Sequence, residues 1–80
     1  MMEVFILLIV QPGKEDEVYE ILKDRPEVKE IYKVYGDYDI LIRVEVPNIK
    51  ALDEFHDGVL RGIPGIEMTE TLIASSYGGR

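Results

Sequence analysis

The stretch that decides the fold is Val34-Tyr-Gly-Asp-Tyr-Asp-Ile-Leu-Ile-Arg-Val-Glu-Val46. Gly36 and Asp37 predict a tight hairpin turn, because glycine accepts a positive φ and an aspartate side chain can bond its own backbone. From Tyr38 onward, two sets of residues alternate with strand periodicity. The stretch therefore predicts a hairpin whose tip carries two carboxylates and two tyrosines.

The size and composition of the chain indicate a single small domain that gains from association. Its 80 residues are 46% apolar and include no cysteine and one histidine. A chain this short is near the lower limit at which one core outweighs chain entropy, and no disulfide can make up the difference. A single histidine disfavours a zinc site, so we expect no metal and no cofactor. We treat residues 1–80 as one domain, with residues 75–80 as a flexible tail.

The charge of the chain excludes two classes of partner. The formal net charge is −7, and the basic residues are scattered along the sequence. Nucleic acid and anionic membranes both require clusters of lysine and arginine, so we expect neither as a direct partner. The apolar run Val4–Val10 follows an acid and is too short to span a bilayer, so it is interpreted as a strand rather than a signal peptide. A cytoplasmic location is expected.

Hydrophobic periodicity and turn residues predict six elements in the order βαββαβ. The predicted strands are residues 3–10, 28–35, 38–46 and 66–74. The first helix is predicted over residues 14–24, and the second begins after Asn48 as its N-cap and ends at Gly62 or at Pro64-Gly65. Two right-handed βαβ crossovers give an α+β ferredoxin-like sandwich with strands one and three in its centre.

The first predicted strand indicates how the domain associates. Val4, Ile6, Leu8 and Val10 alternate with Phe5, Leu7 and Ile9, so both faces of the strand are apolar. A strand that is apolar on both faces is normally buried on both, yet the helices of this fold cover one face only. We therefore expect two copies to pack sheet to sheet as a symmetric dimer that resembles an α/β barrel.

Candidate binding residues lie at the hairpin tip and on the fourth strand. Asp37 and Asp39, with the backbone of Tyr35 and Gly36, could hold an ammonium group, or they could be a turn residue and a solvent-facing strand residue. Thr69 and Thr71 share one strand face and Glu70 lies on the other; threonine is also simply a good strand residue. The lone histidine, His56, has no nucleophile near it in sequence, and no catalytic residue is predicted.

Three stretches of this sequence together resemble the effector-binding domain of the Lrp/AsnC family. They are Val34-Tyr-Gly-Asp-Tyr-Asp-Ile-Leu-Ile-Arg-Val44 with Val46-Pro-Asn48, then Leu52-Asp-Glu-Phe55, then Leu60-Arg-Gly-Ile-Pro-Gly-Ile-Glu-Met-Thr-Glu-Thr-Leu72. The resemblance implies a ferredoxin-like fold, face-to-face dimers that assemble into octamers or discs, and a role in sensing amino acids for transcription regulation.

The resemblance also implies a site. Effectors in this family bind between dimers, which corresponds here to the hairpin tip and the fourth strand. Asp37 or Asp39 would attract the α-ammonium, while hairpin amides and a threonine hydroxyl would receive the carboxylate. The implied ligand-binding residues are Tyr35, Gly36, Asp37, Tyr38, Asp39, Thr69, Glu70 and Thr71.

Typical members of the family also carry a DNA-binding helix-turn-helix, and this sequence opens directly with a strand. We therefore expect a non-catalytic module that senses a free amino acid, forms homodimers of higher order and does not bind DNA by itself. Two alternatives stay open. The chain could be a structural partner that co-assembles with a full-length Lrp/AsnC regulator, or a small enzyme of the dimeric α+β barrel type.

Overall fold

The computed structural model describes residues 1–79 and has the predicted βαββαβ order. Strands β1 to β4 and helices α1 and α2 are joined by short connections, with one turn of 3₁₀ helix, Leu60–Gly62, after α2. The bounds are β1 Met2–Val10, α1 Glu15–Lys23, β2 Val28–Lys33, β3 Ile40–Val46, α2 Ile49–Gly58 and β4 Ile66–Ile73. The architecture is the ferredoxin-like α+β sandwich, as predicted.

The four strands form one antiparallel sheet in the order β2-β3-β1-β4. Strands β1 and β3 occupy the centre, as the sequence predicted, and Val4 lies opposite Val44 while Ile6 lies opposite Ile42. The polar strand β2 lies at one edge, where its charges discourage pairing with a further strand. The other edge is β4, whose register on β1 shifts between Ile9 and Val10.

The core lies between the sheet and the helices. From Val4 to Val10 of β1 and from Ile40 to Val46 of β3, every second residue is buried there. The buried apolar residues of the core are Val4, Ile6, Leu8, Val10, Val18, Leu22, Ile40, Ile42, Val44, Val46, Leu52, Phe55, Leu60 and Ile63. The other face of the sheet has no helix above it. Its central residues on β1 and β3, Phe5, Leu7, Ile9 and Leu41, are therefore only partly buried.

Each helix buries most, but not all, of the apolar residues that recur along it at helical spacing. Leu52 and Phe55 of α2 are buried, but Ile49 in its first turn is 52% exposed. In α1, Val18 and Leu22 are buried, whereas Ile21 is 44% exposed. Each helix is only two or three turns long, so a narrow stripe is enough to cover the sheet and flanking apolar residues remain in solvent.

Three boundaries differ from the prediction by two residues or more, and the others agree within one residue. Helix α2 ends at Gly58 rather than at Gly62 or Gly65, because the chain tightens into the 3₁₀ turn. Strand β2 ends at Lys33 and β3 begins at Ile40, so the hairpin connection has six residues rather than a tight two-residue turn. Residues 75–79 lie outside any helix or strand, and residue 80 of the predicted tail lies outside the described residues.

Candidate functional site

The hairpin connection, residues 34–39, is closed by a backbone hydrogen bond. The N–H of Val34 donates to the carbonyl oxygen of Asp39 over 2.9 Å. Between them, Gly36 has a φ of +131°, a conformation that side chains with a Cβ rarely adopt. The glycine therefore fulfils its predicted role in reversing the chain, although the reversal is wider than a two-residue turn.

Asp39 fastens the hairpin connection to the end of β1. Its Oδ2 accepts a hydrogen bond from the N–H of Val10 over 2.8 Å. Its own N–H donates to the carbonyl oxygen of Leu8 over 2.9 Å. The backbone of Asp39 therefore bonds on both sides, to Leu8 of β1 and to Val34 just after β2. From the sequence, Asp39 could be either a solvent-facing strand residue or a ligand-binding residue. In the isolated chain it anchors the hairpin connection to β1.

The tip of the connection is open to solvent. The side chain of Tyr35 is fully exposed, and within residues 1–79 the carboxylate of Asp37 accepts no hydrogen bond and makes no ion pair. The expected bond from Asp37 to its own backbone is therefore not formed. Backbone and side chains at the tip are available to a ligand or to a second molecule.

A cleft of about 590 Å³ separates the hairpin connection from the N-terminus of α1. On its floor, Lys33 forms an ion pair with Asp16 and its Nζ lies 5.0 Å from the centre of the Tyr19 ring. The hydrogen bond to Asp16 raises the pKa of Lys33. The cleft is lined by Gly13, Glu15, Asp16, Lys33, Val34, Tyr35 and Asp39.

Tyr38 and Glu70 are joined across the uncovered face of the sheet. The phenol of Tyr38 donates to Oε2 of Glu70 over 3.0 Å, and this bond raises the pKa of Tyr38. Glu70 lies opposite Leu7 in the β1–β4 register. The bond therefore connects two parts of the predicted site, the hairpin and β4, that are 32 residues apart in sequence.

Thr69 belongs to a different environment on the helix side of the sheet. Its Oγ1 lies 3.3 Å from Nε2 of His56, whose Nδ1 is 3.1 Å from the carboxylate of Asp57. The hydrogen bond with His56 lowers the pKa of Asp57. Sequence analysis did not find this contact, because His56 and Thr69 come together only when α2 packs beside β4.

The predicted site residues thus fall into three groups in a single chain. Tyr35, Gly36, Asp37 and Asp39 lie on the hairpin connection, Tyr38 and Glu70 meet on the uncovered face, and Thr69 contacts α2. Thr71 is exposed, and no side-chain hydrogen bond involves it among residues 1–79.

Sequence analysis also missed a polar cluster around Arg43 on the uncovered face. The guanidinium lies 2.7 Å from Glu30, 2.8 Å from Glu45 and 3.3 Å from Glu3. The hydrogen bond from Arg43 lowers the pKa of Glu30, and its hydrogen bonds to Glu30 and Glu45 raise the pKa of Arg43. Strand alternation alone could have placed these residues on one face, but their pairing depends on the register.

The element order and the sheet define a small α+β domain of the ferredoxin-like class. A family model described as Lrp/AsnC ligand binding domain matches residues 3–77, and the chain belongs to the Lrp/AsnC family. This confirms the resemblance seen in the three sequence stretches.

Among curated relatives, the HTH-type transcriptional regulator FL11 of Pyrococcus horikoshii is 41% identical over 69 residues. That match covers 86% of this chain and 45% of FL11, so the chain spans about half the length of this relative. The crystal structure of FFRP-DM1 is 49% identical with a TM-score of 0.88, and the match covers 92% of this chain and 99% of that one.

A more distant structure supports the fold alone. The transcriptional regulator NMB0573 of Neisseria meningitidis, solved as an L-Met complex, is 16% identical with a TM-score of 0.90. The match covers 99% of this chain and 53% of NMB0573. The βαββαβ domain is therefore preserved where little of the sequence is.

Residues 1–79 contain neither a helix suited to cross a membrane nor a cluster of side chains suited to hold a metal ion. No helix in this part of the chain is both long and apolar enough to cross a membrane. Within the same residues, no group of three or more histidine, aspartate or glutamate side chains is placed to hold a metal ion.

Proposed function

We propose that the chain is a non-catalytic domain that binds a free amino acid at its hairpin connection, in the seam between copies of the domain. It works in the cytoplasm as an effector-sensing and oligomerisation module. Ligand in the seam stabilises one assembly over another, so binding is coupled to the population of oligomers.

One observation carries this proposal: the hairpin connection is fixed at its base and free at its tip. Asp39 and Val34 make three hydrogen bonds that hold the base against β1 and close the loop. Tyr35 and Asp37 at the tip take part in none of these hydrogen bonds, and the Tyr35 side chain is fully exposed. A loop that is already ordered loses little conformational entropy when a ligand binds, which favours affinity.

Family membership supports an amino acid as the ligand. The chain matches the Lrp/AsnC ligand-binding domain along nearly its whole length, and a regulator of the same fold was solved in complex with L-Met. A free amino acid offers an ammonium group, a carboxylate and a side chain. The exposed groups of the hairpin and β4 include a partner for each of these three parts of an amino acid.

The anchoring of Asp39 divides the roles of the two aspartates. Because Oδ2 of Asp39 already accepts the Val10 N–H, we assign the ammonium of the ligand to Asp37. Backbone amides near Gly36 and the exposed hydroxyl of Thr71 would receive the carboxylate. Tyr38 and Glu70, joined to each other, would border the ligand from the uncovered face.

The uncovered sheet face supports the dimer. Phe5, Leu7, Ile9 and Leu41 form a continuous apolar centre, and Met68 and Leu72 beside it are 59% and 49% exposed. Packing this face against a second sheet removes that area from water. We propose sheet-to-sheet homodimers that join through their hairpin tips into octamers or similar assemblies.

Calorimetric titration with each of the twenty amino acids tests the ligand. At least one amino acid should bind and raise the melting temperature. Asp37→Asn should weaken its affinity at least about tenfold, the loss expected for a charged hydrogen bond. The matched control is Asp53→Asn on the exposed side of α2, which should leave affinity unchanged. Failure of all twenty to bind the folded protein would refute the sensing role.

Analytical ultracentrifugation tests the assembly separately. The chain should sediment as a dimer or larger at micromolar concentration. Leu7→Asp should shift it toward monomer because it places a second unneutralised carboxylate beside Glu70 at the centre of the contact. The control Ile21→Asp, which alters an exposed apolar residue on α1, should leave the dimer intact. A stable monomer of the unmodified chain would contradict the proposed pairing.

A second candidate function is that of a structural partner for a full-length Lrp/AsnC regulator. The charge of the uncovered face favours it, since that face carries mainly carboxylates around its apolar centre. An enzyme of the dimeric α+β barrel type lacks such support. Its catalytic groups would lie between the sheets, where Phe5, Leu7 and Leu41 occupy the centre, and His56 is on the helix side.

A further inference from the structure

The uncovered sheet face has an apolar centre with charged residues around it. Strand alternation and register assign to this face Glu30 and Tyr32 of β2, Leu41, Arg43 and Glu45 of β3, Glu3, Phe5, Leu7 and Ile9 of β1, and Met68, Glu70 and Leu72 of β4. We call this set the open face. Its apolar centre is suited to docking, and acidic residues outnumber basic ones among its charged side chains.

The open face is acidic. Among its residues are four carboxylates and one guanidinium, a formal charge of −3. Arg43 is already engaged within its own chain, since its Nε and Nη1 bond to three of these carboxylates within 3.3 Å. Its Nη2 bonds to none of the described residues, but the side chain is only 23% exposed and its single charge is outweighed by the three carboxylates beside it.

Glu70 is the carboxylate that Arg43 does not reach. It accepts one hydrogen bond, from the neutral phenol of Tyr38, and it lies beside the apolar Leu7. A phenol satisfies one oxygen of the carboxylate but does not neutralise its charge. Covering Glu70 with an apolar or acidic surface would therefore bury an uncompensated charge, which is unfavourable.

A second copy of the chain meets this face with the same sign of charge. Two open faces together carry eight carboxylates and two guanidinium groups, and each guanidinium is already shared among carboxylates of its own chain. Apolar contact favours the pair, while repulsion between the rims opposes it. Like charges across an interface select against a partner, and opposite charges select for one.

We infer that the open face docks preferentially onto a sheet face of the same shape that carries lysine or arginine opposite its carboxylates, and accepts a second copy less readily. The partner is therefore recognised by an apolar centre with a basic rim. Salt reduces the preference, because screening shortens the range of the repulsion from about 10 Å at 0.1 M to about 3 Å at 1 M.

This inference rests on the sheet-to-sheet pairing proposed above and not on amino-acid binding. It can therefore fail while the sensing role stands, and it can hold in the absence of any amino acid. Because the outcome is a ratio of two association constants, a loss of pairing altogether is also distinguishable from a loss of preference.

A charge-reversed copy of the chain serves as the basic partner. Glu3→Lys combined with Glu70→Lys changes the open face from −3 to +1 and retains the Glu30 and Glu45 partners of Arg43. Fluorescently labelled unmodified chain is titrated with this variant or with itself, at about 25 mM and about 500 mM KCl. Association with the variant should be at least about tenfold tighter at low salt, and the two should agree within about threefold at high salt.

Two further variants complete the test. The control, Asp53→Lys with Glu54→Lys on the exposed side of α2, makes the same change in net charge and should not improve association. The neutral variant, Glu3→Gln with Glu70→Gln, avoids new lysines and should pair with itself more tightly than the unmodified chain at low salt. Circular dichroism checks that each variant is folded.

Equal self and mixed association at low salt would overturn the inference. So would an equal gain from the α2 control, because that gain would come from net charge and not from the open face. Self-association of the unmodified chain that is independent of salt, with no gain in the neutral variant, would likewise show that rim repulsion does not limit pairing.

Discussion

The carboxylate of Asp39 accepts a hydrogen bond from the backbone N–H of Val10 over 2.8 Å. The bond joins the base of the hairpin connection to the last residue of a central strand, 29 residues earlier in the chain. With the Asp39 N–H bonded to Leu8, it sets the position of the tip that carries Tyr35 and Asp37. The position of the tip, where we propose that ligand binds, thus depends on a residue whose own carboxylate is bonded to β1.

Asp39→Ala is therefore expected to destabilise the fold. It leaves the Val10 N–H without its acceptor, and the loss of a partly exposed charged hydrogen bond is expected to lower the free energy of unfolding by about 1 to 2 kcal/mol. Urea denaturation at fixed protein concentration measures the change. Asp37→Ala is the control and should stay within about 0.5 kcal/mol of the unmodified protein, as for most surface substitutions. Equal losses in the two variants would contradict the anchor.

Gly36→Ala should be costly although it meets no steric clash with neighbours. Open space surrounds the glycine, but its φ of +131° is unfavourable for alanine, and we expect a loss of about 1 to 3 kcal/mol in the free energy of unfolding. Gly58→Ala, at the end of α2 and also in open space, provides the matched control. Thermal denaturation should show a lower melting temperature for Gly36→Ala. Gly58→Ala should show no such decrease.

The sequence was sufficient for the fold because its periodicity and turn residues agree. The βαββαβ order with two crossovers correctly placed β1 and β3 in the centre of the sheet, and Asn48 correctly marked the start of α2. It was not sufficient for the ends of elements. The base of the hairpin connection is held by bonds from Asp39 to Leu8 and Val10 of β1, and such long-range contacts do not appear in a local pattern.

The candidate site was predicted as a set of residues but not as an arrangement. The hairpin and β4 are indeed linked, through Tyr38 and Glu70, yet Thr69 turns toward His56 on the opposite face. Alternation already separated Thr69 from Glu70; which neighbour each would meet depends on the packing of α2. The Arg43 cluster could not be predicted for the same reason, because the carboxylates that contact Arg43 come from three strands.

Asn48→Ala tests the start of α2. The side chain of Asn48 accepts the N–H of Ala51 over 2.9 Å, and its loss should lower the free energy of unfolding by about 1 kcal/mol. Asn48→Asp keeps an acceptor at the same place and next to the positive end of the helix dipole, so its stability should match or exceed that of the unmodified protein. Urea denaturation separates the two. If both substitutions have the same effect, the cap contributes nothing measurable.

The ion pair between Glu30 and Arg43 makes stability depend on pH. The hydrogen bond from Arg43 holds the folded-state pKa of Glu30 below its ordinary value of 4.5. The folded state therefore favours the charged carboxylate. This contribution to stability is complete above the unfolded-state value, and it is lost as pH falls through the lower, folded-state value.

Melting temperatures of the unmodified protein and of Glu30→Gln should therefore differ by a constant amount near neutral pH, with the variant lower. The difference should shrink as pH falls below about 4.5 and vanish at lower pH, where both side chains are neutral. Glu54→Gln, which alters a carboxylate on the exposed side of α2, controls for the general effect of net charge. The difference for Glu30→Gln should exceed that of the control at neutral pH. A difference that persists unchanged at the lowest pH would show that Glu30 acts through packing and not through its charge.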